Sequence, residues 1–155
     1  MTLPEPVCRE LTLEIPSDPA YLKVVRGVCL CLAEAAGFPE DKGRLVALGL
    51  EEACTNVMRH AYENRPDHPI RLQFRQDAGQ FVIELTDWGR KARPEELKSR
   101  DLNEIRPGGL GLHFISEVFD RFEYDASDET CNRLRLVKAR PGCDRSGTGS
   151  GPSRA

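Results

Sequence analysis

No strong bias of charge runs through this chain: 22 Lys and Arg stand against 25 Asp and Glu, for a formal net charge of -3. The two signs are mixed along the sequence. That leaves no basic footprint for nucleic acid and no polybasic patch for an acidic membrane. MTLPEPVCRE has no basic segment followed by an apolar run, so no secretory signal is visible. The most apolar helical stretch, near residues 20–36, is short and carries Lys23, Arg26 and Glu34, which excludes a membrane span there. No C-x-x-C occurs among the six cysteines at 8, 29, 31, 54, 131 and 143. Cys29 and Cys31, two apart on a helix, point in different directions and cannot easily share a metal. Scattered thiols without a targeting signal fit a reducing cytoplasm better than a disulfide framework. The glycine cluster RPGGLGLHFI, residues 106–115, lacks the Lys-Ser/Thr that ends a P-loop and the G-x-G-x-x-G spacing of a dinucleotide fold.

What is present suffices for one domain: 155 residues with room for a sizeable core. RELTLEIP alternates Leu11, Leu13 and Ile15 with polar residues and predicts a strand. A first helix follows, with Ser17 as N-cap, Pro19 in the first turn and Gly37 as C-terminal cap. A second helix covers roughly 40–63, tolerating Gly43 and Gly49. PIRLQFRQDAGQFVIELTD reads as a hairpin turning at Asp77-Ala78-Gly79. Residues 88–107 read as a loop, GLHFISEVFDRF as a third helix, and RFEYDASDETCNRLRLVKA as a last hairpin. Strands in hairpins rather than alternating βα units predict an α+β sandwich, with helices on one face of a largely antiparallel sheet. The domain is expected over 1–140, and 141–155, rich in Gly, Ser and Pro, as a disordered tail.

Three local features can carry chemistry. On the second helix Val46, Leu50, Ala53, Val57 and Ala61 fall within an arc of about 80°. Glu52, Asn56 and His60 form a polar stripe beside them. That stripe is either a solvated face or a place to hold a cation and a reacting group together. Asp87, at the end of FVIELTDWG, either closes an Asx-turn or accepts a hydrogen bond from an exocyclic amine. Gly108, Gly109 and Gly111 precede a helix whose Leu112, Ile115, Val118 and Phe119 share a buried face. They form either a hinge or an anion site of free amides. His60, His68 and His113 make no metal constellation. Trp88 is open to two roles, flanking a pocket or facing a partner.

Taken in order, Glu52-Ala-Cys-Thr-Asn56, Asp87-Trp-Gly89 and Gly109-Leu-Gly111-Leu resemble the N box and the two glycine boxes of the GHKL ATPase superfamily. LGLEEACTNVMRHAYE and GGLGLHFISEVFDRFEY are similar to the RsbW-type anti-sigma-factor serine kinases, and the resemblance runs from about residue 10 to 138. It implies a Bergerat-type two-layer α/β sandwich with a mostly antiparallel mixed sheet, and ATP with Mg²⁺ as cofactors. By position it implies Glu52 as general base and Asn56 as the oxygen ligand of Mg²⁺. Asp87 would accept the adenine amino group, and Gly89 would let the base pack closely. A lid over residues 90–108 would close on the phosphates, with Arg106, Gly108, Gly109, Leu110, Gly111 and Leu112 at or beyond its end. The implied activity is phosphoryl transfer to Ser or Thr of a STAS-domain anti-anti-sigma partner. A sigma factor would be a second partner, and the kinase a homodimer in the cytoplasm, binding neither nucleic acid nor membrane. The alternatives are a non-catalytic ATP-binding interaction module and a GHKL signalling ATPase unrelated to sigma factors. Lys91 departs from the pattern, standing where D-x-G-x-G has its second glycine. Lys23 and Arg26 on the first helix are candidate partner contacts.

Overall fold

Period-two alternation builds a sheet of five strands in the computed structural model, which describes residues 9–91 and 109–142. They are β1 (Arg9–Pro16), β2 (Pro69–Gln76), β3 (Gln80–Asp87), β4 (Arg121–Asp125) and β5 (Asn132–Ala139). Their order is β1-β2-β3-β5-β4, and every neighbouring pair is antiparallel. The β2–β3 turn falls at Asp77-Ala78-Gly79, where the Asp77 carboxylate accepts from the amides of Gly79 (2.9 Å) and Gln80 (2.8 Å).

Register decides which side chains meet. Leu13, Leu72, Leu85 and Leu134 lie in one row across β1, β2, β3 and β5. The next row is Ile15, Ile70, Asp87 and Asn132, so the buried face changes from aliphatic to polar halfway along it. The opposite face carries charged pairs along β1 and β2, Arg71 on Glu14 (3.1 Å) and Arg75 on Glu10 (3.4 Å), with Val82, Thr86 and Val137 buried farther along it. Such exposed pairs add little stability, so the fold depends on the apolar face.

Three helices cover that face: α1 (Leu22–Ala35), α2 (Glu40–Asn56) and α3 (Gly109–Val118). They bring Val25, Cys29 and Ala33, then Val46, Leu50 and Ala53, then Ile115 and Val118 into one core with Ile70, Leu72, Phe74, Ile83 and Leu85. Burying each large aliphatic side chain contributes about 1.5–3 kcal/mol. Gly49 is more than tolerated: a Cβ there would stand 2.8 Å from Cε2 of Phe119, so its absence lets α3's end seat on α2.

Three boundaries differ from the sequence reading. Asp18, not Ser17, caps the first helical turn, accepting from the Ala20 amide at 2.9 Å. Ser17 is buried, donates to the Arg65 carbonyl and accepts from the His68 amide at 3.1 Å, tying β1 to the segment before β2. The third helix stops at Val118, because Arg121 and Phe122 already pair with β5. The expected second helix is α-helical only to Asn56. Val57–Ala61 is a π-turn, with Tyr62 N–H donating to the Val57 carbonyl at 3.0 Å.

That π-turn is a docking device. It leaves the Ala61 carbonyl free to accept from the Arg90 amide at 2.8 Å, just beyond β3. A Cβ on Gly89 would lie 2.4 Å from that carbonyl oxygen and 2.7 Å from the Ala61 Cβ. Gly79 meets nothing within 4 Å. Gly89→Ala is therefore expected to destabilise by about 1–3 kcal/mol, since the obstacle is backbone. Gly79→Ala should stay within about 0.5 kcal/mol of the parent. Urea denaturation of both variants measures this, and equal midpoints would contradict it.

Candidate functional site

Asp87 ends β3 on the helix-covered face, 4% exposed. Its Oδ1 accepts from Asn132 Nδ2 at 2.8 Å and from the Gly89 amide at 3.0 Å. The Asn132 amide is buried in turn, and its Oδ1 has no partner among the described residues. Burial raises the Asp87 carboxyl above its ordinary value; the Asn132 and Gly89 hydrogen bonds and the Lys91 charge oppose this. The Asx-turn reading is thus correct as geometry, yet it uses only one carboxylate oxygen, and among the described residues no donor reaches Oδ2. Next to it, the Tyr62 hydroxyl donates to the Pro69 carbonyl (2.5 Å) and accepts from the Trp88 amide (2.9 Å). The end of the helix bearing Asn56 and the end of the strand bearing Asp87 are thereby joined through Ala61, Tyr62, Gly89 and Arg90.

Glu52 and Asn56 stand one turn apart at the end of α2, both half-buried and without partners among the described residues. The preceding glutamate behaves differently. Glu51 is 6% exposed, and its Oε2 accepts from Arg26 Nη2 at 2.9 Å. Its Oε1 is buried with no partner among the described residues. Of two adjacent carboxylates one is committed to the fold and the other faces open space. That space is a hollow of about 460 Å³ between the start of α1 and the last turns of α2, with Lys23, Arg26, Glu51, Glu52 and Thr55 on its wall. Arg26, expected to face a partner, pairs with Glu51, which leaves Lys23 on that wall without a partner among the described residues. His60 is exposed, and His68 lies against Tyr62 with ring centroids 4.9 Å apart and the planes tilted by 37°. Trp88 lies under the Arg71 guanidinium, 5.0 Å from its centroid, at the edge of the charged sheet face.

Gly109, Leu110 and Gly111 form the first turn of α3, which packs against α2, and Leu112 is half-buried on the core. Arg106, Gly108 and residues 92–108 of the expected lid lie outside the described residues, as does the tail from residue 143. Gly89 has a reason for being glycine within the protein itself, its approach to Ala61. Among the described residues no three His, Cys, Asp or Glu side chains gather to cage a metal. Mg²⁺ does not need such a cage, because one or two protein oxygens plus nucleotide phosphates commonly hold it. The uncommitted Asn56 carboxamide, beside the uncommitted Glu52, fits that pattern.

Lys91, Asn132, Tyr62 and Glu51 were not visible as site residues in the sequence. Lys91 Nζ donates to the carbonyls of Cys131 (2.6 Å), Ala126 (3.4 Å) and Asp128. Asn132 faces Asp87 only through the β3–β5 register, which no local pattern reveals. Glu51 did leave a signal: it follows Ala47 by four residues and precedes Cys54 by three, on the side of α2 that α1 covers.

The family model for the histidine kinase-like ATPase domain matches residues 15–138. The chain therefore belongs to that family. Within it, the chain is similar to proteins named serine-protein kinase RsbW. The relative from Listeria monocytogenes is 27% identical over 119 residues, covering 72% of this chain and 76% of that one. The relative from Halalkalibacterium halodurans is 25% identical over 131 residues, covering 79% and 78%. In fold the chain matches a protein in the crystal structure of the SiaB–SiaC complex from Pseudomonas aeruginosa. The TM-score there is 0.64, at 13% identity, over 82% of this chain and 88% of that one.

The Arg26–Glu51 pair gives a test of the wall of the hollow. Removing the cation leaves a buried carboxylate uncompensated, which costs more than removing both charges. Arg26→Ala should lower the melting temperature, and adding Glu51→Gln should recover most of the loss. A double variant no more stable than Arg26→Ala would show that the pair is incidental.

Proposed function

We propose that this chain is a cytoplasmic serine/threonine protein kinase. It transfers the γ-phosphoryl group of ATP to a hydroxyl of a STAS-fold anti-anti-sigma partner and, as a homodimer, restrains a sigma factor. The observation that carries this is the pairing of two uncommitted groups on α2, Glu52 and Asn56, with a buried carboxylate, Asp87, that keeps one oxygen free. The names of the relatives support the kinase activity. The four described thiols, Cys29, Cys31, Cys54 and Cys131, are free, which suits a reducing compartment.

In this reading Asp87 Oδ2 accepts the adenine amino group, while Asn132 and the Gly89 amide hold Oδ1 in place. Asn56 offers a carboxamide oxygen to Mg²⁺, which when bound offsets the charge of the phosphates. The partner's hydroxyl-bearing segment enters by the hollow beside Glu52, with Lys23 on its wall. Glu52 removes the hydroxyl proton as the new O–P bond forms, the bond to the bridging oxygen of the β-phosphate breaks, and ADP leaves. The amides of Gly109 and Gly111 at the start of α3 face developing negative charge favourably.

Two measurements test this. General-base help is worth about 10²–10⁴-fold, or roughly 3–5 kcal/mol. Glu52→Gln should lose single-turnover phosphorylation of a STAS-domain protein by about that factor while Mg-ATP affinity holds. Asn56→Ala should weaken Mg-ATP binding itself. Wild-type transfer by Glu52→Gln would remove Glu52 as base. The second is pH dependence. Burial raises the Asp87 carboxyl, so its protonated form, a weaker acceptor with an O–H donor of its own, sets in at higher pH than for an ordinary aspartate. ADP affinity should therefore fall on acidification beginning above the ordinary value of 3.8. Calorimetry between about pH 4 and 7 reads this, and a flat profile there would contradict the assignment.

A further inference from the structure

Lys91 stands where the family's first glycine box has a glycine, and its side chain is fully employed. Its ammonium donates to three backbone carbonyls of one loop, Ala126 at 3.4 Å, Cys131 at 2.6 Å, and Asp128. That loop joins β4 to β5 and ends at Asn132, the residue that holds Asp87. From the other direction, Asn132 Nδ2 also lies 3.3 Å from the Arg90 carbonyl and 3.5 Å from that of Gly89. Two pins therefore cross the same gap, one from the segment after β3 to the loop and one from the loop's end back to that segment. Within the loop there are short turns, Asp125 on Ser127 and Asp128 on Thr130, and Arg133 of β5 reaches Asp128 at 3.4 Å, but none of these contacts ties the loop to the segment after β3. An ammonium group with three donors and no acceptor is suited to gathering converging carbonyls, and a glycine can make none of these contacts.

We propose that Lys91 is a positioning residue for the base-binding carboxylate of Asp87, fixing the β4–β5 loop to the end of β3 so that Asn132 keeps Asp87 oriented for a nucleotide's amino group. This rests on the nucleotide reading of Asp87 given above. Without Lys91 the loop is released at one of its two pins, Asn132 holds Asp87 less well, and a cation that favours the ionised carboxylate is lost. The groups that bear on Asp87 among the described residues are Lys91, the Asn132 amide, the Gly89 N–H and the Tyr62 phenol, which is uncharged at acid pH. A loss of hold and of charge at Lys91 thus has no nearby substitute.

The test compares full-length wild type with Lys91→Met and Lys91→Arg. ADP affinity is read by calorimetry, and the Asp87 carboxyl is titrated by carbon-13 NMR without ligand. Lys91→Met should weaken ADP binding about 5-fold or more, within the usual range for one coupled group. Its Asp87 titration should move to higher pH, because the cation that favours the ionised form is lost and Asn132, a donor to it, is held less well. Lys91→Arg keeps the charge and several donors, and should retain most of both properties. The inference is overturned if Lys91→Met binds ADP as wild type does. It is equally overturned if ADP binding weakens with the Asp87 titration unmoved, since Lys91 would then merely brace the surface. Wild type failing to bind ADP at all would instead overturn the nucleotide reading itself.

Discussion

A carboxylate buried at the end of a sheet must be given donors or it will not stay ionised, and that requirement organises this molecule. Asp87 receives two on one oxygen, from Asn132 across the β3–β5 ladder and from the Gly89 amide two residues on. Both donors exist only because other parts of the fold hold them. Asn132 is placed by strand register and by the Lys91 clamp on its loop. Gly89 is placed by the π-turn of the second helix, whose Ala61 carbonyl it touches without room for a side chain. The polar end of the buried sheet face and the polar end of α2 are consequently one unit rather than two neighbouring features.

The same logic separates Glu51 from Glu52. A helix turns 100° per residue, so adjacent glutamates cannot share an environment. Both border the same hollow, but Glu51 is buried against α1 with Arg26 as counter-ion, while Glu52 is half-exposed with no partner among the described residues. The ion pair also accounts for one of the basic residues on a largely apolar helix: Arg26 satisfies a carboxylate.

Much of this was legible in the sequence because it is carried by periodicity. The strands, the Asp77-Ala78-Gly79 turn and the order of elements follow from alternation and turn residues alone, and the family follows from three short boxes in the right order. What could not be read depends on register or on backbone departures. Asn132 sits 45 residues from Asp87, and only the pairing of two separate hairpins brings them together. The π-turn at Val57–Ala61 leaves no mark in a helical pattern, which continues smoothly through Ala61. Ser17 and Asp18 both have side chains able to cap the helix start; Asp18 does so, while Ser17 makes a buried tie with Arg65 and His68 that no local pattern reveals.

The account stands on one claim, that the end of β3 and the end of α2 together form the nucleotide site. An NMR titration of the isotopically labelled chain with Mg-ADP tests it most directly. The account predicts that the largest amide shifts fall at residues 52–62, 87–91 and 109–112, while the charged outer face of the sheet away from Trp88, at Glu10 and Arg75, stays unmoved. Shifts confined to that outer face, with residues 87–91 silent, would contradict it.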